Sequence, residues 1–172
     1  PCRFKYKLYG LEEDLRKDEY FQIYEDDRGA YILNSKDLCM IEHIPELIDA
    51  GITSFKIEGR LKSLYYVGIV TRAYRKAIDL YFENPKKYEN EKAKLAAEIS
   101  KTSNRGFTTG FYFHKPDQNA NNYETSRAES KWGFIGLVKK YDKKTKLAKI
   151  EVKNYLPKNS DLEIITPKEV IK

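Results

Sequence analysis

Cysteine, histidine and methionine are scarce in this chain of 172 residues, which contains two, two and one of them respectively. Two cysteines, Cys2 and Cys39, are too few for a disulfide scaffold, and so we expect a reducing, cytoplasmic setting. Long apolar runs and signal-peptide patterns are also missing, which predicts a soluble protein that does not span a bilayer. Because the first residue is Pro1 and the single methionine is Met40, we expect a piece of a longer protein.

The sequence motifs of two common hydrolase classes are absent as well. Neither G-x-S-x-G nor H-E-x-x-H occurs, so serine and zinc protease mechanisms have no support within this sequence. Cys39 admits one alternative, as a nucleophile paired with His43, because residues four apart share a face of a continuous helix. Pro45 and the turn before it argue against that continuity, and we interpret His43 as a surface or helix-start residue.

Positive charge is concentrated in the last part of the chain. Residues 101–172 contain 15 Lys and Arg against 8 Asp and Glu, whereas residues 1–100 contain 17 against 18. Such an excess is the usual electrostatic footprint of a polyanion partner, and it also fits a lysine-rich solvated surface. Both interpretations stay open at this point.

The segment 31–60 has the pattern of a strand, a loop, a helix and a second strand. Residues 31–33 and 54–57 are short runs typical of strands. Between them, Pro45 suits the first turn of a helix and Gly51 suits its end. The apolar stripe of this helix consists of Ile44, Leu47 and Ile48. Two strands joined by a helix make a βαβ unit, whose strand ends carry the chemistry in α/β folds.

Charged and thiol side chains follow both predicted strands. Because the carboxyl ends of parallel strands meet at one edge of a sheet, we expect these side chains on a common rim. The residues after the first strand are Lys36, Asp37 and Cys39, and those after the second are Glu58, Arg60 and Lys62. Charged residues also commonly cap strand ends and pair with each other, which is the structural alternative for every one of them.

Two helices and a β-rich segment follow. Ser63 is a fair N-cap for a helix over 64–82, which Asn84 and Pro85 end, and a second helical stretch covers 91–100. Strand-like runs at 132–141, 147–155 and 162–165 are separated by turns and predict a small antiparallel β-barrel or sandwich. We therefore predict an α/β domain over 1–102, then an all-β domain over 103–172 that is itself truncated.

Cations and flat rings alternate at the start of the second predicted domain. Arg105, Phe107 and Tyr112 form a mixture that serves stacking on unpaired bases and neutralising phosphates. Lys139 and Lys140 belong to a lysine-rich hairpin that predicts a stripe of phosphate contacts. The alternative for the aromatic residues is core packing, which we expect for Phe111, Phe113, Trp132, Phe134 and Tyr141.

Three blocks of the sequence resemble the collagenase-like peptidase family, known as peptidase family U32: NSKDLCMIEHIPELIDAGITSFKIEGRLKS, YRKAID and RGFTTGFYF. The resemblance covers nearly the whole chain, and the opening PCRFKY is similar to the segment just after the family's main cysteine signature. It implies that the α/β part is the closing part of a TIM-like barrel and that the rest begins the family's C-terminal β-domain.

This resemblance implies two alternative activities. The family was named for collagen-degrading activity, whereas members resembling this chain are linked to oxygen-independent hydroxylation of a tRNA uridine, of ribosomal RNA or of a quinone. Those members are associated with prephenate as the oxygen source and with an iron–sulfur cluster on four cysteines. Cys2 and Cys39 match the last two of these cysteines, which implies a metal-ligand role for both.

The residues of the rim then acquire roles. Lys36, Arg60 and Lys62 would hold a dicarboxylate such as prephenate, with Arg60 gripping one carboxylate in fork geometry. Glu58 would orient Arg60 or assist a proton transfer, and Asp37 is a further candidate catalytic residue. The hypotheses are therefore an RNA-modifying oxidoreductase that binds tRNA or ribosomal RNA, a peptidase that docks a protein substrate on its β-domain, and a simple RNA-binding module.

Overall fold

The computed structural model describes residues 10–13, 16–21, 23–26, 29–31, 34–115, 120–122 and 132–171. Three helices lie in this part of the chain: α1 (Ile44–Asp49), α2 (Leu64–Glu83) and α3 (Pro85–Ser100). None of them is long and apolar enough to cross a membrane. Helices α2 and α3 pack against each other and, with α1 and the loop before it, enclose the hydrophobic core. The buried side chains of this core are Ile41, Ile44, Val70, Ala73, Ala77, Tyr88, Leu95 and Ile99.

The ten strands within the described ranges form five separate pairs, of which only β5 with β6 is parallel. The pairs are β1 (Leu11–Glu13) with β2 (Arg16–Phe21), β3 (Tyr24–Asp26) with β4 (Gly29–Tyr31), β5 (Asp37–Leu38) with β6 (Phe107–Thr108), β7 (Gly136–Asp142) with β8 (Leu147–Val152), and β9 (Ile164–Ile165) with β10 (Val170–Ile171). No barrel closes among these strands, so the TIM-like barrel and the small β-barrel stay predictions.

The ends of the two long helices are set by capping residues. Ser63 caps α2 as predicted, because its Oγ accepts the backbone N–H of Tyr66 at 3.2 Å. Asn84 ends α2 and begins α3, and its Oδ1 accepts the N–H of Lys86 at 2.9 Å. Helix α3 begins earlier than predicted, because Pro85 lies in its first turn, where the fixed φ of proline fits and an N–H is not needed.

The predicted βαβ unit is right in its helix and wrong in its second strand. Pro45 lies in the first turn of α1, and Gly51 follows the helix with a φ of +81°. Residues 54–57 form no strand, because no described strand lies alongside them to complete a ladder of hydrogen bonds. Of the first predicted strand, Tyr31 ends β4, and residues 32–33 lie outside the described residues.

The predicted hairpin near residue 142 is confirmed by β7 and β8, which pair in antiparallel register across a tight turn. Asp142 Oδ1 accepts the backbone N–H of Lys144 at 2.8 Å and so fixes that turn. Strand β6 pairs with β5, so that residues 107–108 bond to the first part of the chain. The division of the chain at residues 102 and 103 stays a prediction.

The expected core packing of the aromatic residues is wrong for four of the five. Phe111, Phe113, Trp132 and Tyr141 are 74%, 50%, 38% and 56% exposed. Within the described residues, these segments are turns, bends or a lone two-stranded hairpin, so no second layer of secondary structure buries the side chains. Phe134 is half-buried and stacks on Tyr65, with the ring centroids 6.0 Å apart.

Candidate functional site

The parallel pair of β5 and β6 brings two distant segments of the sequence side by side. The N–H of Asp37 donates to the carbonyl of Gly106 at 2.9 Å, and the N–H of Cys39 donates to that of Thr108 at 2.9 Å. Gly106 has a φ of +84°, and a Cβ at this position would lie 3.5 Å from the Lys36 side chain. Glycine therefore allows the positive φ of the turn that leads into β6, and the Lys36 side chain packs against Gly106.

Asp37 lies between two cations. Its Oδ1 accepts hydrogen bonds from Arg105, 3.1 Å from Nη2 and 3.4 Å from Nε, while Lys62 Nζ lies 3.5 Å from Oδ2. Lys62 Nζ also donates to the Ser103 carbonyl at 2.9 Å. The Asp37 side chain is 18% exposed, so solvent screens these pairs less than it does at an open surface. Because the buried Oδ2 accepts no hydrogen bond, its charge is compensated through the Lys62 ion pair.

Tyr66 connects the two predicted halves of the rim. The Lys62 ammonium lies over its ring, 5.0 Å from the centroid, in a cation–π contact. Burial raises the pKa of Tyr66, and the negative charges of Asp37, Cys39 and Glu58 raise it further. Because Lys62 also pairs with Asp37, Tyr66 contacts the cation that joins the two predicted halves of the rim.

Cys39 is a free, half-buried thiol that contacts a tyrosine of α2. Its Sγ lies 3.9 Å from the Tyr74 hydroxyl, which donates to it, and the Tyr74 oxygen accepts the N–H of Met40 at 2.8 Å. Burial raises the pKa of Cys39, although the Ile41 backbone N–H and the Tyr74 hydroxyl both favour the thiolate. The unligated thiol is therefore neutral near pH 7.

The metal-ligand role of Cys2 and Cys39 stays a prediction, and Cys2 lies outside the described residues. No group of three His, Cys, Asp or Glu side chains that would hold a metal ion occurs in the part of the chain described. Cys39 itself fits a thiolate ligand, because the Tyr74 hydroxyl donates to its sulfur and the Ile41 backbone N–H acts to lower its pKa. A metal ion deprotonates a coordinating thiol, so the raised pKa of the free thiol does not oppose binding.

The remaining residues of the rim have other contacts. Glu58 Oε1 accepts the backbone N–H of Arg60 at 2.9 Å and so closes the turn before α2. Glu58 therefore contacts the backbone N–H of Arg60 and not its guanidinium, and the Arg60 side chain is exposed. Lys36 is half-buried against Gly106. The catalytic and dicarboxylate-binding roles of these residues stay predictions.

The residues predicted to contact RNA differ in solvent exposure and in ion pairing. Phe107 and Tyr112 are exposed, as stacking on a base requires. Lys139 Nζ lies 2.6 Å from Glu151 Oε2, whereas Lys140 on the same strand has no ion-pair partner within the described residues. The lysine stripe therefore contains both neutralised and available charges.

Cys39 and His43 do not form the alternative nucleophile pair. His43 Nδ1 lies 3.2 Å from Glu46 Oε1, and its ring centroid lies 4.5 Å from that of Phe113. No hydrogen bond joins His43 to Cys39 in the described structure, where the sulfur contacts Tyr74 instead. His43 immediately precedes α1, which confirms it as a helix-start residue.

Sequence analysis missed Tyr66 and Tyr74 as parts of the site. A signal was present, because the two tyrosines lie eight residues apart on α2, a spacing that places both toward the same side of the helix. A tyrosine on a buried face needs a partner for its hydroxyl, which distinguishes it from an aliphatic residue. The pairing of Arg105 with Asp37 had no such signal, since the two residues lie 68 positions apart.

Two family models match most of the sequence of this chain. The model described as "Peptidase family U32" matches residues 1–122, and that described as "Peptidase family U32 C-terminal domain" matches residues 130–172. The chain therefore belongs to peptidase family U32.

Three relatives show the range of names in this family. The chain is 32% identical over 166 residues to "tRNA hydroxylation protein P1" of Bacillus subtilis, covering 96% of the chain and 38% of that protein. It is 36% identical over 162 residues to "tRNA hydroxylation protein P" of Escherichia coli, covering 94% and 35%. It is 31% identical over 131 residues to "Collagenase" of Porphyromonas gingivalis, covering 75% and 36%. The chain thus spans little more than a third of these relatives, and no solved structure matches it.

Proposed function

We propose that this chain is part of an enzyme that hydroxylates a tRNA uridine without molecular oxygen and uses prephenate as the oxygen source. The observation that carries the proposal is the similarity, over 94% and 96% of the chain, to two relatives named for tRNA hydroxylation. Because the chain spans little more than a third of those relatives, the activity is proposed for the whole protein, and the cytoplasm is its proposed location.

The cluster of Asp37, Lys62 and Arg105 supports anion binding beside β5. Lys62 is held by two oxygens, so its ammonium has a defined position before a ligand arrives. We assign the carboxylates of the co-substrate to Lys62 together with Lys36 and Arg60, with Arg60 as the guanidinium that grips one carboxylate. A cation fixed in advance loses little entropy when it binds, which favours the carboxylate over water.

Cys39, together with Cys2, is the proposed ligand of an iron–sulfur cluster. Such a cluster supplies, when bound, the one-electron chemistry that side chains cannot. The Tyr74 hydroxyl at the Cys39 sulfur supports this role, because a donor stabilises a negatively charged sulfur in a half-buried position.

A tRNA partner is supported by charge and by exposed rings. Residues 101–172 carry the positive excess of the chain, and Phe107 and Tyr112 offer ring faces to solvent beside Arg105. Phosphates would bind the lysines of the β7–β8 hairpin, and unpaired bases would stack on the rings.

Mass spectrometry of tRNA tests the activity. Hydroxyuridine should disappear in a strain that lacks the gene and return when the intact gene is supplied. A gene encoding Lys62→Ala should restore less than a tenth of the hydroxyuridine, because it removes the fixed ammonium. Lys56→Ala is the matched control, since this exposed lysine lies in the same loop and should restore the wild-type level. Unchanged hydroxyuridine in the deletion strain would contradict the proposal.

A peptidase is the second candidate, and the collagenase-named relative favours it. The geometry supports it less, because Cys39 and His43 are not paired in the described residues. Digestion of gelatin by the purified full-length protein tests this alternative. Proteolysis that the Cys39→Ser variant abolishes would favour it over the hydroxylase.

A further inference from the structure

We propose that Tyr74 is a positioning residue that hydrogen-bonds the Cys39 sulfur and thereby sets the reduction potential of the cluster that Cys39 helps to bind. The inference rests on the proposed function in one respect, the ligand role of Cys39. Its other basis is the set of contacts that two tyrosines make with the loop between β5 and α1.

The partners of the Tyr74 hydroxyl determine where its proton points. The N–H of Met40 donates to the Tyr74 oxygen at 2.8 Å, so this oxygen is already the acceptor of one hydrogen bond. The second neighbour of the hydroxyl is Cys39 Sγ at 3.9 Å. Because a metal-bound thiolate carries no proton, this contact runs from the Tyr74 hydroxyl to the sulfur.

A second tyrosine holds the same loop without touching the sulfur. The Tyr88 hydroxyl, from α3, donates to the Ile41 carbonyl at 3.0 Å and accepts the N–H of Ile44 at 3.3 Å. Each hydroxyl therefore accepts one backbone N–H of this loop. They differ in the group to which they donate, which is the Cys39 sulfur for Tyr74 and the Ile41 carbonyl for Tyr88.

Hydrogen bonds to the ligating sulfurs are one of the determinants of cluster potential. A donor at the sulfur stabilises the reduced cluster more than the oxidised one, because the reduced cluster carries more negative charge. Tyr74 should therefore raise the potential, and Tyr88 should have no such effect. A purely structural role of Tyr74 would change stability and leave the potential where it is.

Redox titration of the reconstituted full-length protein tests the inference. The wild type, Tyr74→Phe and Tyr88→Phe are purified anaerobically, their iron and sulfide contents are measured, and each cluster is titrated with electron paramagnetic resonance as the signal. We expect Tyr74→Phe to lower the reduction equilibrium constant about tenfold, which is about 59 mV for a one-electron couple. Tyr88→Phe should keep the wild-type potential.

A Tyr74→Phe protein with a full cluster at the wild-type potential would overturn the inference. A wild type without iron and sulfide would overturn the cofactor proposal and this inference with it, and the contents reveal that before any titration. If Tyr74→Phe does not fold, 3-fluorotyrosine at position 74 keeps the ring and makes the hydroxyl a stronger donor. A higher potential in that protein supports the hydrogen bond, and an unchanged one overturns it.

Discussion

Asp37 shows what a single side chain does at this site. Its carboxylate separates the charges of Lys62 and Arg105, which would otherwise repel each other in a partly buried position. It therefore stabilises the fold as well as the arrangement of cations. A carboxylate in such a position is both a structural group and a competitor of any anionic ligand for the same two cations.

We expect Asp37→Asn to lower the free energy of unfolding by about 1–3 kcal/mol, because it leaves two half-buried cations without their counter-charge. Urea denaturation of the purified protein measures the change. Asp79→Asn is the control, since Asp79 forms an exposed helical pair with Arg75 and should cost only about 0.3–0.5 kcal/mol. Equal losses in the two variants would contradict a special role of the Asp37 position.

Tyr88 gives a prediction for alkaline pH. Burial raises the pKa of Tyr88 to about 12, although the Ile44 N–H favours the charged form. The folded state thus holds this proton more tightly than the unfolded state does, where the pKa is about 10. The stability that Tyr88 contributes is therefore complete below about pH 10 and is lost as the pH rises to about 12.

The expected loss from this one side chain is about 2 kcal/mol between pH 10 and pH 12. Tyr88→Phe should be less stable than the wild type at pH 8 and should lose less stability over the alkaline range. Urea denaturation at each pH measures both. Tyr141→Phe, which changes an exposed ring, should follow the wild-type curve. A Tyr88→Phe curve parallel to that of the wild type would show that this residue does not carry the effect.

At the scale of elements, Asn84 links the two long helices. It ends α2, where its N–H donates to the Leu80 carbonyl at 2.8 Å, and its side chain caps α3. We expect Asn84→Ala to cost about 1 kcal/mol of folding free energy, because the N–H of Lys86 loses its acceptor. Urea denaturation measures the loss. Asn84→Ser should retain most of the stability, and a serine variant as unstable as the alanine variant would contradict the capping role.

Local signals explain why the helices were predictable. Ser63, Asn84 and Gly51 each act on a backbone group within a few residues of themselves, so their effects are visible in the sequence. Residues 54–57 have a strand-like sequence, but a strand also needs a neighbour, and that condition is not local. Pro85 was correctly predicted to lie at a helix boundary, but it begins α3, whereas the sequence analysis used it only to end α2.

At the scale of the whole molecule, the site depends on contacts that the sequence does not reveal. The pairing of β5 with β6 joins residues about 70 positions apart, and it brings Arg105 to Asp37. Sequence analysis named both residues and gave them separate roles, on the rim and in RNA binding. The structure shows them in one ion cluster, so a change at either residue should affect both proposed functions of the site.

The lysine-rich hairpin allows a test of tRNA binding by the intact protein, with two neighbouring lysines as a matched pair. Each phosphate contact contributes about 0.7–0.9 to the slope of log affinity against log salt. Lys140→Ala should reduce this slope by about that amount, because Lys140 has no ion-pair partner among the described residues. Lys139→Ala should reduce it less, since Glu151 already neutralises Lys139. Equal reductions, or tRNA binding that does not respond to salt, would contradict a phosphate-binding role of this hairpin.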